Sequence, residues 1–282
     1  MRYLLRWSLL PLLILATFSS PAQDRIFNYT YQSLVLGKGQ RELEVWNTFR
    51  WGRSEYFRAF DNRIEFEVGL GSRLQTAFYL NIGTASVKQL SYESTASGTG
   101  QPVPVSTWSL GTETEVSFSN EWKYKIADPV ADAVGLALYG EYTVSAKGIE
   151  LEPRVILDKS YGAAIVAFNA AGEFEFEKQL EQDGTEQTAT ESGLELTLAG
   201  SWELARGVHL GAEIVNRNGF EEGTLLHSVL FGGPTIAYAQ QDFWINLTIL
   251  PQLVALKGAT ENGLELDIYE RLETRLLFSY AF

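Results

Sequence analysis

Hydrophobic and polar residues alternate along most of the chain from residue 41 onwards. In the first run, Leu43, Val45 and Phe49 share one face while Glu42 and Glu44 share the other. This period of two recurs along the chain as far as Phe282, and it is the period of a β-strand with two different faces. We therefore predict an all-β fold of about 12 strands. The predicted strands cover residues 43–51, 63–70, 74–82, 108–126, 134–144, 149–157, 164–176, 194–204, 208–214, 226–239, 243–249 and 269–282.

The links between the predicted strands alternate in length. Links after even-numbered strands are short, as at Gly71-Ser72. Links after odd-numbered strands are mostly long and polar, and they cover residues 52–57, 84–106, 179–191, 217–225 and 254–268. Short turns at one end and long loops at the other are typical of a transmembrane antiparallel up-and-down β-barrel with both termini on the periplasmic side.

Two features within strands and one link between strands need a local explanation. In the run 226–239, Val229 and Phe231 are out of phase with Ile236 and Tyr238, and Gly232-Gly233 between them predicts a β-bulge. Pro153 and Pro234 also fall inside predicted strands, where each removes a hydrogen-bond donor. The residues from Asp158 to Tyr161 are interpreted as a turn.

Composition adds an export signal and a strong negative charge. Basic residues, an apolar run and small residues follow one another in residues 1–22, which predicts a signal peptide cleaved after Ala22. Of the 22 Lys and Arg residues, Arg2 and Arg6 lie in this peptide, so the remaining chain carries 20 basic and 35 acidic residues, a net charge of −15. This charge argues against nucleic-acid binding. There is no cysteine. The predicted organisation is signal peptide (1–22), periplasmic or lumenal N-terminal segment (23–40) and barrel (41–282).

The positions of aromatic and acidic residues predict which face of the barrel is outside. Aromatic residues gather near the predicted strand ends, as interfacial girdles do: Trp122, Tyr124, Trp202, Tyr238, Phe243, Trp244, Tyr280 and Phe282 at one end, and Trp51, Tyr56, Trp108, Phe176 and Tyr269 at the other. The glutamate-rich face fits a water-filled lumen. The predicted lumen-lining residues are Glu42, Glu44, Arg63, Glu65, Glu67, Glu113, Glu115, Arg154, Glu173, Glu175, Glu195, Glu213 and Arg275.

The last strand ends in an aromatic signature, with Phe282 at the terminus and Tyr280 and Phe278 two and four residues before it. This ending resembles the C-terminal signal of bacterial outer-membrane β-barrels. Together with the signal peptide and the 63–75 hairpin, the chain resembles such barrels over nearly all of its mature length, and in particular the phenol-degradation MetA-like and transporter-type families. The resemblance implies the outer membrane of a Gram-negative bacterium, contact with its lipid, and recognition of the last strand by the barrel-assembly machinery.

Two functions fit this architecture. An acidic lumen attracts cations, so the leading hypothesis is a narrow, cation-preferring channel for small solutes. The alternative is a barrel plugged by Glu–Arg and Glu–Lys pairs, with residues 23–40 folded inside, which acts as an anchor that displays residues 84–106 as an interaction loop. A barrel of about 12 strands lies between filled and open sizes.

Enzymatic and metal-binding functions have little support in the sequence. Some outer-membrane barrels are phospholipases with a Ser and a His, and His209, His227 and Ser228 are the candidates for such a site. Neighbouring strand residues point to opposite faces, so His227 and Ser228 form no direct pair without a bulge. Glutamates at alternate strand positions are typical of a solvated face, and no loop carries an aspartate-rich calcium signature. We therefore predict no enzyme, no metal site and no cofactor.

Overall fold

A computed structural model describes residues 25–96, 102–180 and 184–282. Within them the chain forms 12 β-strands and no helix. The strands are β1 (Arg41–Trp51), β2 (Phe57–Gly69), β3 (Leu74–Ala96), β4 (Pro102–Ala127), β5 (Gly135–Ser145), β6 (Gly148–Tyr161), β7 (Ala164–Leu180), β8 (Glu186–Ala205), β9 (Val208–Glu221), β10 (Thr224–Ala239), β11 (Phe243–Lys257) and β12 (Leu272–Ala281). No helix of the described part is long and apolar enough to cross a membrane. The predicted signal peptide and its cleavage site lie outside the described residues.

The strands form one closed antiparallel barrel in which each strand pairs with its sequence neighbours. The barrel closes where β1 pairs with β12, in a register that runs from Glu42 opposite Ala281 to Trp51 opposite Leu272. The predicted fold, including the strand number, is therefore confirmed.

The apolar face of the alternating pattern points outward. Leu43, Phe78, Leu138 and Ile214 are between 40% and 48% exposed. The polar residues between them point into the barrel, where Glu44, Glu65 and many others are buried. This arrangement is the inverse of a soluble barrel, and it is what lipid around the barrel requires.

The predicted long loops are mostly strand. β3 continues to Ala96 and β4 begins at Pro102, so residues 84–96 and 102–106 are paired strand, while residues 97–101 lie outside the described part. β8 starts at Glu186 and β9 runs to Glu221. The prediction of long loops was wrong because the strands of these hairpins are longer than the 9–11 residues that span a bilayer. In the extended part of the β3–β4 hairpin, exposed Ser and Thr pairs such as Ser86–Thr112 replace apolar alternation.

Only the β11–β12 link, residues 258–271, is long without belonging to a strand in the described structure. The predicted turn at Asp158 to Tyr161 is also wrong, since β6 extends to Tyr161. Pro153 and Pro234 do lie inside strands, opposite Gly140 and Ala212 respectively.

The predicted bulge at Gly232-Gly233 is not found. The register between β10 and β11 shifts instead between Ser228 and Val229 and between Leu230 and Phe231. Val229 and Phe231 are apolar residues that face into the barrel and are fully buried there. Gly233 is needed because a Cβ at this position would lie 1.9 Å from the carbonyl oxygen of Ile249. The change of phase in the sequence thus marks an apolar patch inside the barrel.

Candidate functional site

Residues 25–36, which we call the inner segment, lie inside the barrel. Ile26 and Phe27 are buried against Ala167, Ala199 and Ala237 of the wall. The next aromatic residue, Tyr29, packs with Val215, Val229, Phe231 and Leu250. The small alanines leave room for the inner segment, and the inward apolar patch of β10 covers Tyr29.

The side chain of Glu213 in β9 anchors the inner segment. Its two carboxylate oxygens accept hydrogen bonds from three consecutive backbone N–H groups, those of Asn28 (2.8 Å), Tyr29 (2.8 Å) and Thr30 (2.9 Å). The hydroxyl of Thr248 donates a fourth bond at 2.8 Å. Glu213 is fully buried. Hydrogen bonds to an ionised acceptor are stronger than neutral ones, so this one carboxylate holds the middle of the inner segment.

Two side-chain amides of the barrel wall hold the part of the inner segment that follows the three residues bound by Glu213. Asn169 accepts a hydrogen bond from the backbone N–H of Tyr31 at 2.6 Å and donates one to the carbonyl of Tyr31 at 2.9 Å. Gln75 accepts from the backbone N–H of Leu36 at 2.9 Å. The bonded positions are spread along the chain from Asn28 to Leu36, so the inner segment is fixed at several points of the wall.

Arginines stack on the aromatic residues at the level of the inner segment. The guanidinium carbon of Arg25 lies 3.9 Å from the ring centre of Tyr31, and that of Arg275 lies 4.0 Å from the ring centre of Tyr29. Arg154 approaches Tyr31 from the wall, at 4.7 Å. Cation–π contacts of this kind are strengthened by burial.

A polar cavity lies on one side of the inner segment and opens at the end of the barrel that carries the β7–β8 and β9–β10 links. Its inner part, of about 410 Å³, touches Tyr29, Tyr31 and Trp46. Its outer part, of about 1200 Å³, reaches Glu191 and Glu222. The two parts share lining residues: Thr48, Asp61, Glu150, Glu173, Glu195, Arg217 and Arg275. We call this space the vestibule and this end the open end.

Acidic residues outnumber basic ones in the vestibule wall. Thirteen carboxylates line it: Asp61, Glu115, Glu141, Glu150, Glu152, Glu173, Glu175, Glu191, Glu195, Glu221, Glu222, Glu270 and Glu273. Six arginines line it: Arg50, Arg53, Arg63, Arg154, Arg217 and Arg275. Several arginines are paired, for example Arg154 with Glu152 at 2.9 Å and Arg217 with Glu195 at 3.2 Å. Acidic side chains thus exceed arginines in this wall by seven, 13 against six.

The other end of the interior, which we call the closed end, lies beside the β2–β3 link and is tightly packed. The indole N–H of Trp244 donates to Glu42 at 2.6 Å, and Ser279 donates to the same oxygen of Glu42. Trp46 donates to Glu44 at 2.8 Å. The cavity found here within the described residues has a volume of only about 10 Å³.

Comparison with known proteins identifies the family. Residues 19–282 match a family described as a family of unknown function, DUF6662. The chain belongs to this family. A search of curated proteins gives no match.

Solved structures share the fold of this DUF6662 chain at low sequence identity. The COG4313 outer membrane channel from Pseudomonas putida F1 is 13% identical with a TM-score of 0.57, over 89% of this chain and 98% of that one. The NanC porin is 11% identical with a TM-score of 0.53, over 84% and 98%. The KdgM porin is 7% identical with a TM-score of 0.52, over 86% and 99%. The DUF6662 chain therefore has the fold of outer-membrane β-barrels, as its resemblance implied.

The structure distributes the predicted lumen residues over separate places. Glu42, Glu44, Glu65 and Glu67 are buried together at the closed end, away from the vestibule. The vestibule is lined by Arg63, Glu115, Arg154, Glu173, Glu175, Glu195 and Arg275. Glu113 lines a cavity of about 490 Å³ that adjoins the vestibule at Asp61 and Glu115, and Glu213 binds the inner segment. The residues of the predicted assembly signal, Phe278, Tyr280 and Phe282, all face outward.

Two predicted girdle residues lie elsewhere. Trp244 is fully buried inside the barrel rather than at the lipid interface. Tyr269 belongs to the β11–β12 link and packs its ring edge-on against Phe231, 6.0 Å away, inside the barrel. Residues important to the interior that the sequence argument missed include Trp46, Tyr29 and Tyr31. Trp46 carried a signal, because it is an aromatic residue on the otherwise polar face of β1.

The candidate enzymatic residues do not form a site. The ring of His227 packs edge-on against Tyr269, with ring centres 5.1 Å apart. Ser228 instead bonds the amide of Asn216 at 3.2 Å. His209 pairs with Ala237 at the opposite end of the β9–β10 ladder from His227. Among the described residues, no hydrogen bond joins a serine to either histidine.

Proposed function

We propose that this DUF6662 chain is an outer-membrane channel for small solutes, with a preference for cations, and that the inner segment closes it. The observation that carries this proposal is the acid-rich vestibule, which is open at one end and has the inner segment as its floor. Solutes enter at the open end, and passage requires the inner segment to move aside. The apolar outer face and the likeness in fold to outer-membrane channels and porins support this function.

The proposal includes an orientation and a processing scheme. Both termini lie on the periplasmic side, and the vestibule faces the cell exterior, where hairpins of outer-membrane barrels are long. Residues 1–22 are removed as a signal peptide, and residues 23–40 and 41–282 form the lumenal segment and the barrel. The barrel-assembly machinery recognises the outward-facing residues Phe278, Tyr280 and Phe282. The little-characterised MetA-like and transporter-type barrel families are the relatives that we propose for this chain.

A second function has its own support in the inner segment. The backbone bonds to Glu213, Asn169 and Gln75 fasten the inner segment at several points, which favours a permanently plugged barrel. Such a barrel is an anchor that presents its extended hairpins, above all the one formed by β3 and β4, to partners outside the cell.

Single-channel conductance separates the two functions. The chain from Gln23 to Phe282 is refolded and inserted into planar bilayers with a salt gradient across them. A Glu213→Gln variant, which weakens the attachment of the inner segment, is measured in parallel. Cation-selective openings in the parent, made more frequent by the variant, support the channel. If the barrel folds and inserts but neither form passes current, the channel function is overturned and the plugged barrel remains as the proposed function.

A further inference from the structure

A group of carboxylates at the closed end has no role in the proposed channel. Glu42 and Glu44 of β1 lie directly opposite Glu67 and Glu65 of β2 in the strand register. All four are buried, as is Glu121 of β4. Like charges placed directly opposite each other destabilise a sheet, and burial removes the water that would screen them. The local fold therefore needs something to offset this repulsion.

The surrounding protein offsets only part of this charge. Among the described residues, three cations accompany the five carboxyl groups. Arg25 has its Nη1 atom 4.0 Å from Glu44, Lys123 lines the small adjacent cavity, and Arg63 interacts electrostatically with Glu65. Neutral donors reach Glu44 from Trp46 and Glu67 from Gln75, at 2.8 and 3.1 Å. The carboxyl groups therefore outnumber the cations beside them.

One oxygen of the Glu65 side chain stands out within the described structure. Its Oε2 atom is buried and has no hydrogen-bond partner within the described structure, and the residue as a whole is 1% exposed. A buried polar oxygen without a partner is costly. Glu65 lies opposite Glu44 and two residues before Glu67 in β2, so a ligand held by Glu44 and Glu67 would also reach the Glu65 side chain.

The geometry of the three carboxylates fits a metal ion. One oxygen from each of Glu44, Glu65 and Glu67 lies within 4.8 Å of the other two. Two oxygens bound to one Ca²⁺ at 2.3–2.6 Å are at most about 5 Å apart. The adjacent cavity of about 10 Å³, lined by Glu44, Glu67 and Glu121, is close to the size of one water molecule, which can complete the coordination.

We propose that Glu44, Glu65 and Glu67 form a binding site for a hard divalent cation of the Ca²⁺ type. The ion ties β1 to β2 beneath the inner segment and neutralises the carboxylates that face each other across these strands. Oxygen ligands alone select a hard cation over a soft one. The site does not depend on whether the barrel conducts solutes.

Calcium binding by the folded chain tests the site. The chain from Gln23 to Phe282 is refolded in detergent, stripped with a chelator and titrated with CaCl₂ by calorimetry, and thermal unfolding is followed by circular dichroism with Ca²⁺ or with chelator. We expect one tightly bound Ca²⁺ per chain and a higher unfolding temperature with the ion. Glu65→Gln is expected to weaken binding by about tenfold or more, because it removes one charged ligand.

Glu55→Gln is the matched control, since Glu55 is an exposed residue of the β1–β2 link at the open end. It is expected to bind Ca²⁺ like the parent. A folded parent that binds no Ca²⁺ and melts alike with and without chelator overturns the proposal, and so does undiminished binding by Glu65→Gln. Should Glu65→Gln not fold, Glu67→Gln takes its place, and the comparison of the parent with and without chelator needs no variant.

Discussion

The closed and open ends of the barrel use the same residue type for different purposes. Glu42 and Glu67 at the closed end are buried, and Trp244 and Gln75 donate hydrogen bonds to them. Glu150 and Glu173 at the open end line a wide, water-accessible vestibule. All four occupy inward positions of an alternating strand. What lies beside a glutamate inside the barrel, and not its place in the pattern, decides whether it is packed into the interior or lines the vestibule.

The largest expected effect concerns Glu213. This residue holds the inner segment, which lies between the open and closed ends. Glu213→Gln replaces one acceptor oxygen by an NH₂ group that faces backbone donors. A hydrogen bond to a charged group contributes about 1.5–3 kcal/mol. The fraction of molecules in which the inner segment is detached from the wall is therefore expected to rise by roughly tenfold or more. Tryptic cleavage after Arg25, which is buried in the parent, and channel conductance both measure this release.

Glu173→Gln serves as the control for Glu213→Gln. Glu173 lines the vestibule and has no hydrogen bond to the inner segment in the described structure. It is expected to leave the cleavage after Arg25 unchanged. Equal protection of Arg25 in the parent and in Glu213→Gln would show that Glu213 does not hold the inner segment.

The next effect concerns the contact between the inner segment and β2. A Cβ at Gly69 would lie 2.0 Å from the carbonyl oxygen of Gly37 and 2.6 Å from that of Leu36. Gly69→Ala must therefore displace this backbone, and we expect the free energy of unfolding in urea to fall by about 1–3 kcal/mol. A Cβ at Gly140 would meet nothing within 4 Å, and Gly140→Ala should leave stability nearly unchanged. Equal values for both variants would contradict the close packing of the closed end.

Trp244 tests how much the closed end depends on satisfied carboxylates. Trp244→Phe keeps most of the ring but removes the N–H that bonds Glu42, which leaves a buried acceptor with one donor fewer. We expect a loss of about 1–2 kcal/mol in the free energy of unfolding. Trp202 is 58% exposed on the outer face, so Trp202→Phe should cost less. A larger loss for Trp202→Phe would place the important tryptophan at the lipid interface instead.

The vestibule carboxylates are expected to have a smaller effect, on ion preference. Glu150→Gln and Glu173→Gln, combined in the Glu213→Gln background, should reduce the preference for cations over anions by roughly twofold, because water and salt screen these charges. Reversal potentials in a salt gradient measure the change. Glu186→Gln, on an exposed part of β8 outside the vestibule, is the control. An unchanged reversal potential in the double variant would remove the vestibule from selectivity.

The smallest effect is expected at Asp128, in the link between β4 and β5. Backbone hydrogen bonds from Val130 and Ala131 lower the pKa of Asp128 below its ordinary value. A group whose pKa is lowered in the folded state stabilises the fold at pH values above its pKa in the unfolded chain, which is about 4 for Asp. That contribution is lost as the pH falls through the lower, folded pKa. Thermal unfolding from pH 7 downwards should therefore show a smaller acid-dependent loss in Asp128→Ala than in the parent, and an identical loss would contradict the role of these bonds.

The period of two predicted the strand number, because every spanning strand has one apolar and one polar face. The link lengths and the positions of aromatic and acidic residues were also needed to predict a closed barrel in which residues such as Leu43 and Phe278 face outward. The hairpin lengths were less predictable. Residues 84–89 are all partly or fully exposed, so the sequence of this part resembles a loop although it continues β3.

The interior was predictable only in outline. Alternation identifies inward positions, but it does not distinguish a vestibule wall from a wall that packs against an inner segment. Glu44 and Glu173 look alike in the sequence, and contacts with residues far away in the chain separate them. The inward apolar residues Trp46, Val229 and Phe231 were the available signal, since an aqueous lumen gives no reason for them.

The pairing of β1 with β12 also constrains the order in which the molecule is built. The inner segment ends only a few residues before β1 begins at Arg41, so it is tethered beside the seam of the barrel. The ring is complete only when β12 meets β1. That closing step completes the wall around the space in which the inner segment lies, and it joins residues more than 200 positions apart.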